Sequence, residues 1–271
     1  MILGLTMLLG CTHLFYYPNK DRTYFNPADF ALSPEDVWIK SGEEKIHGWW
    51  FASHETPAKG TVLFFHGNAE NLSSHYMSMG WLPDSGYNYL IIDYPGYGKS
   101  TGEPTPLGCV QAGRDALNWI RKEKDPNPII YGQSLGGNVA LRVAEEEKAT
   151  GKIRALVLDS TFPSYQKIAR GKLSKSWVTW ILQPLTYVLI SDSGSPKDLK
   201  SISPIPTLVF HGQLDQVVEP EYGDMLFTQL NEPKKFISVP EAQHGQVFWV
   251  AQGKYRQDFL QFLSDNKGEN K

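Results

Sequence analysis

The stretch Asn127-Pro-Ile-Ile-Tyr-Gly-Gln-Ser-Leu-Gly-Gly137 restricts this chain more than any other. An apolar run ends at Gly132-Gln-Ser-Leu-Gly136, and a helical pattern starts at once in Asn138-Val-Ala-Leu-Arg-Val-Ala144. G-x-S-x-G between a strand and a helix is the setting of an exposed nucleophile on a sharp turn. The reason is steric: a serine at such a tip sits on strained backbone, and glycines flank it where side chains would strike the neighbouring strand and helix. The turn exposes the Ser134 hydroxyl, and the helix N-terminus beneath it favours developing negative charge. The alternative is an ordinary Gly/Ser turn, which does not need the flanking strand and helix.

A chain of 271 residues is long enough for one large domain. Strands and helices alternate from residue 60 onward. The strand candidates are Gly60–Phe65, Tyr87–Asp93, the run before Ser134, Lys152–Asp159, Thr207–His211 and Lys234–Val239. The helix candidates begin near Leu72 (with Ser73 and Ser74 as capping residues) and cover Thr105–Lys122, Pro220–Leu230 and Val247–Leu263. In the second of these, Leu107, Val110, Leu117 and Ile120 share a face. Ahead of them, Val37–Ile39 and Lys45–Phe51 flank a turn and predict an antiparallel pair. Such alternation predicts an α/β fold, a mostly parallel sheet covered on both faces, with ligands at the carboxyl ends of its strands. The interval from about 160 to 205 breaks the rhythm. It reads as a small helical cap whose Trp177, Trp180, Ile181, Leu182 and Leu185 either wall an apolar pocket or bury the cap on the domain.

A serine hydroxyl is a weak nucleophile at neutral pH and needs a base within reach, plus a group that orients the base. Candidates follow in the order acid, then histidine. Asp215 lies just past a strand in His211-Gly-Gln-Leu-Asp215, and His244 lies in the loop before the last helix. His244 is the only histidine after Asp215. Asp159 also ends a strand and is the rival acid, although a strand-end Asp also serves simply to cap a turn. The tetrahedral intermediate needs two donors for its oxyanion. The backbone N–H groups of Leu135 and Asn68 are the expected pair. His66 and His211, each at a strand end beside a glycine, read as loop supports.

Several function classes fall away. A formal net charge of −3, with no basic run, gives no nucleic-acid footprint. Two cysteines make no disulfide framework, no Cys/His spacing suits zinc, and Cys109 reads as a buried core thiol. Residues 1–11 are apolar and end in Leu-Leu-Gly-Cys11, too short to span a bilayer. The segment resembles a bacterial lipoprotein signal, which makes Cys11 the candidate lipidation site and the cell envelope the expected location. No Lys or Arg precedes its apolar core, unlike a secretory signal. The alternatives are a cytoplasmic chain or one that touches membrane through this tail, and Phe15, Tyr16 and Tyr17 suit either an interface or domain packing.

His66-Gly-Asn-Ala69, Asp93-Tyr-Pro-Gly-Tyr-Gly98, Tyr131-Gly-Gln-Ser-Leu-Gly136, His211-Gly-Gln-Leu-Asp215 and His244-Gly245 together resemble the α/β-hydrolase superfamily. The resemblance covers roughly Leu14 to Leu263 and points to a small-cap branch of often membrane-tethered serine hydrolases, depalmitoylase-like or serine aminopeptidase-like. It implies an eight-stranded sheet, no cofactor and acyl transfer to water, with the triad on Ser134, Asp215 and His244. The substrate would be a small or acylated molecule, an ester or thioester. A peptidase or amidase uses the same machinery, for which Glu70 or Asp192 would have to grip a substrate amine. A non-catalytic binding protein on this fold is the remaining alternative, although such proteins usually lack a triad member.

Overall fold

The apolar runs that read as buried strands pair side by side in one sheet. The computed structural model describes residues 15–150 and 152–267; the N-terminal apolar segment and Cys11 lie outside them. The strands are β1 (Tyr17–Pro18), β2 (Glu35–Ser41), β3 (Glu44–Phe51), β4 (Thr61–Phe65), β5 (Ala69–Glu70), β6 (Asn88–Ile92), β7 (Ile129–Gln133), β8 (Ala155–Asp159), β9 (Thr207–Gly212) and β10 (Lys234–Val239). The α-helices are α1 (Leu72–His75), α2 (Pro106–Glu123), α3 (Leu135–Glu147), α4 (Tyr165–Ser174), α5 (Trp177–Trp180), α6 (Thr186–Leu189), α7 (Pro220–Gln229) and α8 (Lys254–Asp265).

Among the described residues the main sheet has eight strands in the order β10-β9-β8-β7-β4-β6-β3-β2. The β2–β3 hairpin and the β3–β6 pair are antiparallel, and the other pairs are parallel. The chain leaves β4 to one side for β6 and returns to its other side for β7. That reversal opens a crevice at the carboxyl ends of β4 and β7, the place where open α/β sheets hold ligands.

Because side chains alternate along a strand, β4 feeds two cores. Leu63 and Phe65 join Ile130, Leu156, Val110, Leu117 and Val143 on the face covered by α2 and α3. Val62 and Phe64 join Tyr131, Phe210, Phe248, Phe259 and Leu263 on the face covered by α8. All four β4 side chains are fully buried, each worth roughly 1.5–3 kcal/mol of hydrophobic free energy. This two-sided burial explains why the strand reads as a continuous apolar run.

Local expectations need three corrections. α1 is capped by Asn71, whose side chain accepts from Ser73 N–H, so neither Ser73 nor Ser74 is the cap. Leu107 is exposed in the first turn of α2, while Val110, Leu117 and Ile120 are buried. The closing helix begins at Lys254, seven residues later than the apolar pattern suggests, because Gln252 and Gly253 adopt left-handed backbone that ends any helix. Cys109 is a buried core thiol, as expected, and burial pushes its pKa up to about 12.

Candidate active site

The turn between β7 and α3 places Ser134 at φ 55°, ψ −120°. A non-glycine residue there carries about 1–3 kcal/mol of strain and stays only if its surroundings hold it. Ser134 N–H donates to the Asp159 carbonyl at 2.9 Å, and its own carbonyl accepts from Thr161 Oγ1 at 2.5 Å. A β-carbon on Gly132 would lie 2.5 Å from the Gly136 carbonyl oxygen and 2.7 Å from Ala140 Cβ. One on Gly136 would overlap the carbonyl oxygens of Phe65 and His66. The flanking glycines are therefore required by the close approach of β4, β7 and α3.

Two further loops reach the same edge. The turn after β9 buries Asp215, whose Oδ1 accepts from the N–H groups of Val217 (2.8 Å) and Val218 (2.9 Å). Its Oδ2 lies 2.7 Å from Nδ1 of His244, which comes from the loop after β10. His211 supports this turn: its Nε2 donates to the Val218 carbonyl at 2.8 Å. No histidine among the described residues bonds Asp159. Its oxygens accept from Tyr131 (2.8 Å), Gln133 (3.2 Å) and Ser160 (2.8 Å), so it ties the elbow strand to its neighbours. The Gln133 amide also reaches the Gly245 carbonyl at 3.4 Å, joining the elbow to the His244 loop.

The loop after β4 forms the facing wall. His66 Nδ1 donates to the Gly67 carbonyl at 2.7 Å, and Tyr94 OH donates to the His66 carbonyl at 2.9 Å. Asn68 faces the cleft, and Leu135 opens α3, where first-turn N–H groups lack intrahelical partners. The Asn68 side chain accepts from Tyr17 N–H at 3.0 Å and from Tyr97 OH at 3.2 Å. The first contact comes from β1, which pairs in parallel with β5 just beyond the loop. A strand from the start of the chain thus splints this wall, a role its sequence does not announce.

His75 is a second residue the sequence does not single out. Its ring stacks on His66 with centroids 4.9 Å apart, and its Nε2 donates to the Ala69 carbonyl at 3.0 Å. Burial, and then the neighbouring His66, push its pKa down to about 4, so His75 is neutral at pH 7. Behind it, burial would raise Asp93, but His47, His66 and the Leu72 N–H outweigh that and hold the carboxyl below its usual range. Only the Ser-Ser-His ending of α1, beside the His66 loop, hints at His75 in the sequence.

Ser134, Asn68, His75, Gln133 and His244 border one cleft of about 570 Å³. Its apolar wall is Phe25, Phe30, Met77, Val217 and Trp249. Trp177, Trp180, Ile181, Leu182 and Leu185 neither line it nor bury the cap on the domain; all are exposed. The residues from 160 to 205 hold several short helices, and their tryptophans do not border the cleft. Among the described residues no carboxylate lines the cleft either, and the two expected to grip an amine lie elsewhere. Glu70 pairs in β5, and Asp192 bonds Gln166 N–H at 3.0 Å.

Comparison with known proteins agrees with this architecture. Residues 60–173 match the model of the alpha/beta hydrolase fold. The chain is 33% identical to uncharacterized protein YfhR of Escherichia coli K12 over 258 residues, covering 93% of this chain and 86% of that one. It is 27% identical to protein bem46 of Schizosaccharomyces pombe, over 89% of this chain and 80% of that one. Among solved structures, the Pyrococcus furiosus esterase Pf2001 superposes with a TM-score of 0.72 at 24% identity, covering 94% of this chain and 99% of that one.

Proposed function

The chain belongs to the alpha/beta hydrolase fold family, and from that premise we propose that it is a serine hydrolase of acyl esters or thioesters. The observation that carries the reading is the 2.7 Å contact between Asp215 Oδ2 and His244 Nδ1 at the edge of the cleft that holds Ser134. An acceptor on Nδ1 keeps the proton there and leaves Nε2 as the basic nitrogen.

Ser134 Oγ attacks the acyl carbon while His244 Nε2 takes its proton. Asp215, fixed by two backbone donors, orients the ring and stabilises the imidazolium. The N–H groups of Leu135 and Asn68 bind the oxyanion. The imidazolium then protonates the departing alkoxide or thiolate, and an acyl group remains on Ser134. Water, deprotonated by His244, attacks that acyl carbon; the second tetrahedral intermediate collapses to the free acid, and the proton returns to Ser134.

Substrate class follows from the walls. Phe25, Phe30, Met77, Val217 and Trp249 suit an uncharged acyl chain, and among the described residues no carboxylate lines the cleft to pair with a substrate ammonium. This favours ester or thioester cleavage over aminopeptidase activity. A matched panel of acyl esters, acyl thioesters and aminoacyl anilides tests the reading. Faster turnover of aminoacyl anilides than of butyryl or hexanoyl esters would refute it. Lipid attachment at Cys11 belongs to the same proposal; a mature N-terminus other than a modified Cys11, read by intact mass, removes it.

A further inference from the structure

The chain between β8 and β9 leaves large apolar side chains in water. Trp177 is 89% exposed, Ile181 73% and Trp180 62%, with Leu185, Tyr187 and Val188 also exposed. Single exposed apolar residues are ordinary, but a run of them on consecutive short helices, two of them tryptophans, marks a surface that meets something.

Charge says what. From Ser160 to Ser191 the sequence holds Lys167, Arg170, Lys172 and Lys175 and no Asp or Glu, within a chain of formal net charge −3. All four cations sit on α4 or its end, and α4 packs against α5 and α6. Lys172 (at 2.8 Å) and Lys175 both pair with Glu219, and Arg170 bonds the Tyr187 hydroxyl. Tryptophan and aliphatic tips bordered by cations are the composition of an interfacial surface attracted to anionic lipid.

Chain path gives the third observation. The described chain begins at Phe15, whose ring meets Tyr165 at 5.3 Å, and Tyr16 OH bonds Tyr165 OH at 2.9 Å. Tyr165 is the first residue of α4. The apolar sequence ending at Cys11 is four residues upstream of Phe15, a reach of at most about 14 Å. Phe15 and Tyr16 thus pack on the first residue of α4, the helix that α5 and α6 pack against.

We propose that the cap face carrying Trp177, Trp180, Ile181, Leu185, Tyr187 and Val188 docks on a bilayer containing anionic phospholipid. The apolar tips enter the boundary between headgroups and acyl chains, and Lys167 and Arg170 meet the phosphates. This surface is separate from the cleft, and docking does not depend on the reaction Ser134 performs.

The test uses the full chain with vesicles of phosphatidylcholine alone or of equal parts phosphatidylcholine and phosphatidylglycerol. With brominated acyl chains in the mixed vesicles, tryptophan emission falls in the wild type, and most of that quenching is lost in Trp177→Phe/Trp180→Phe. This readout responds to the cap even where the N-terminus also holds the vesicle. Lys167→Gln/Arg170→Gln lowers partition onto the mixed vesicles by roughly tenfold or more and changes partition onto phosphatidylcholine little. Equal quenching in wild type and double variant, with both folded by thermal melt, overturns the proposal. So does a wild-type dimer in light scattering that Trp177→Ser/Trp180→Ser/Ile181→Ser makes monomeric, which would assign the face to a second copy. Protection of these tryptophans from acrylamide without vesicles also overturns it, because the protein itself would then cover the patch.

Discussion

Gly136 sits so close to the Phe65 carbonyl that a β-carbon there would overlap that oxygen. The contact joins the first turn of α3 to the end of β4, and so fixes the serine turn against the loop that faces it. Backbone cannot yield as a flexible side chain does. Gly136→Ala is therefore expected to lower stability by about 3 kcal/mol or more, measured by chemical denaturation. Gly42, at φ +60° with open space around it, is the control; Gly42→Ala should cost only the left-handed backbone term, about 1–2 kcal/mol.

Asp159 ends β8 and Asp215 lies in the turn after β9, and their partners separate them. Asp215→Asn disturbs the His244 tautomer and should reduce kcat/KM by about 10³–10⁴-fold with little change in folding. Asp159→Asn places an amide among three donors and should cost about 1–3 kcal/mol of stability, with a much smaller loss of kcat/KM. Ester kinetics and melting curves on the two variants separate the roles. The reverse pattern would make Asp159 the acid.

His75 sets an acid limit. Its folded pKa is about 4, below the unfolded value of about 6.5. Between those values the unfolded chain binds more protons, so stability rises with pH across this window and falls as the solution is acidified through it. Melting temperature followed from about pH 7.5 to 4 should drop less steeply in His75→Asn than in the wild type. Parallel curves would remove His75 as the source.

Trp249 and Phe25 are part of the apolar wall of the cleft. Replacing either by Ala should raise KM for octanoyl esters about tenfold and leave acetyl esters nearly unchanged. A uniform loss across the chain-length series would place the acyl group elsewhere.

Local chemistry made the elbow, Asp215 and His244 legible as candidates, because each sits at a strand end in a short glycine-marked motif. The buried strands were legible for a related reason: burial on both faces leaves no room for polar residues. What escaped was set by distant contacts. Nothing in Tyr17-Pro18 signals a strand that bonds Asn68, and nothing in Phe25, Phe30 or Trp249 says that two connections so far apart in sequence converge on one cleft. The cap misled because apolar composition does not say which way a helix faces, and its tryptophans point to water. Apolar spacing predicts too long a last helix because it continues through Gln252 and Gly253, where the backbone turns left-handed.

Covalent capture decides whether Ser134 is the nucleophile. The folded wild type should gain one fluorophosphonate adduct, located by peptide mass spectrometry at Ser134, and Ser134→Ala should gain none. A folded wild type that stays unlabelled, or a Ser134→Ala protein that labels as well as the wild type, would contradict the account.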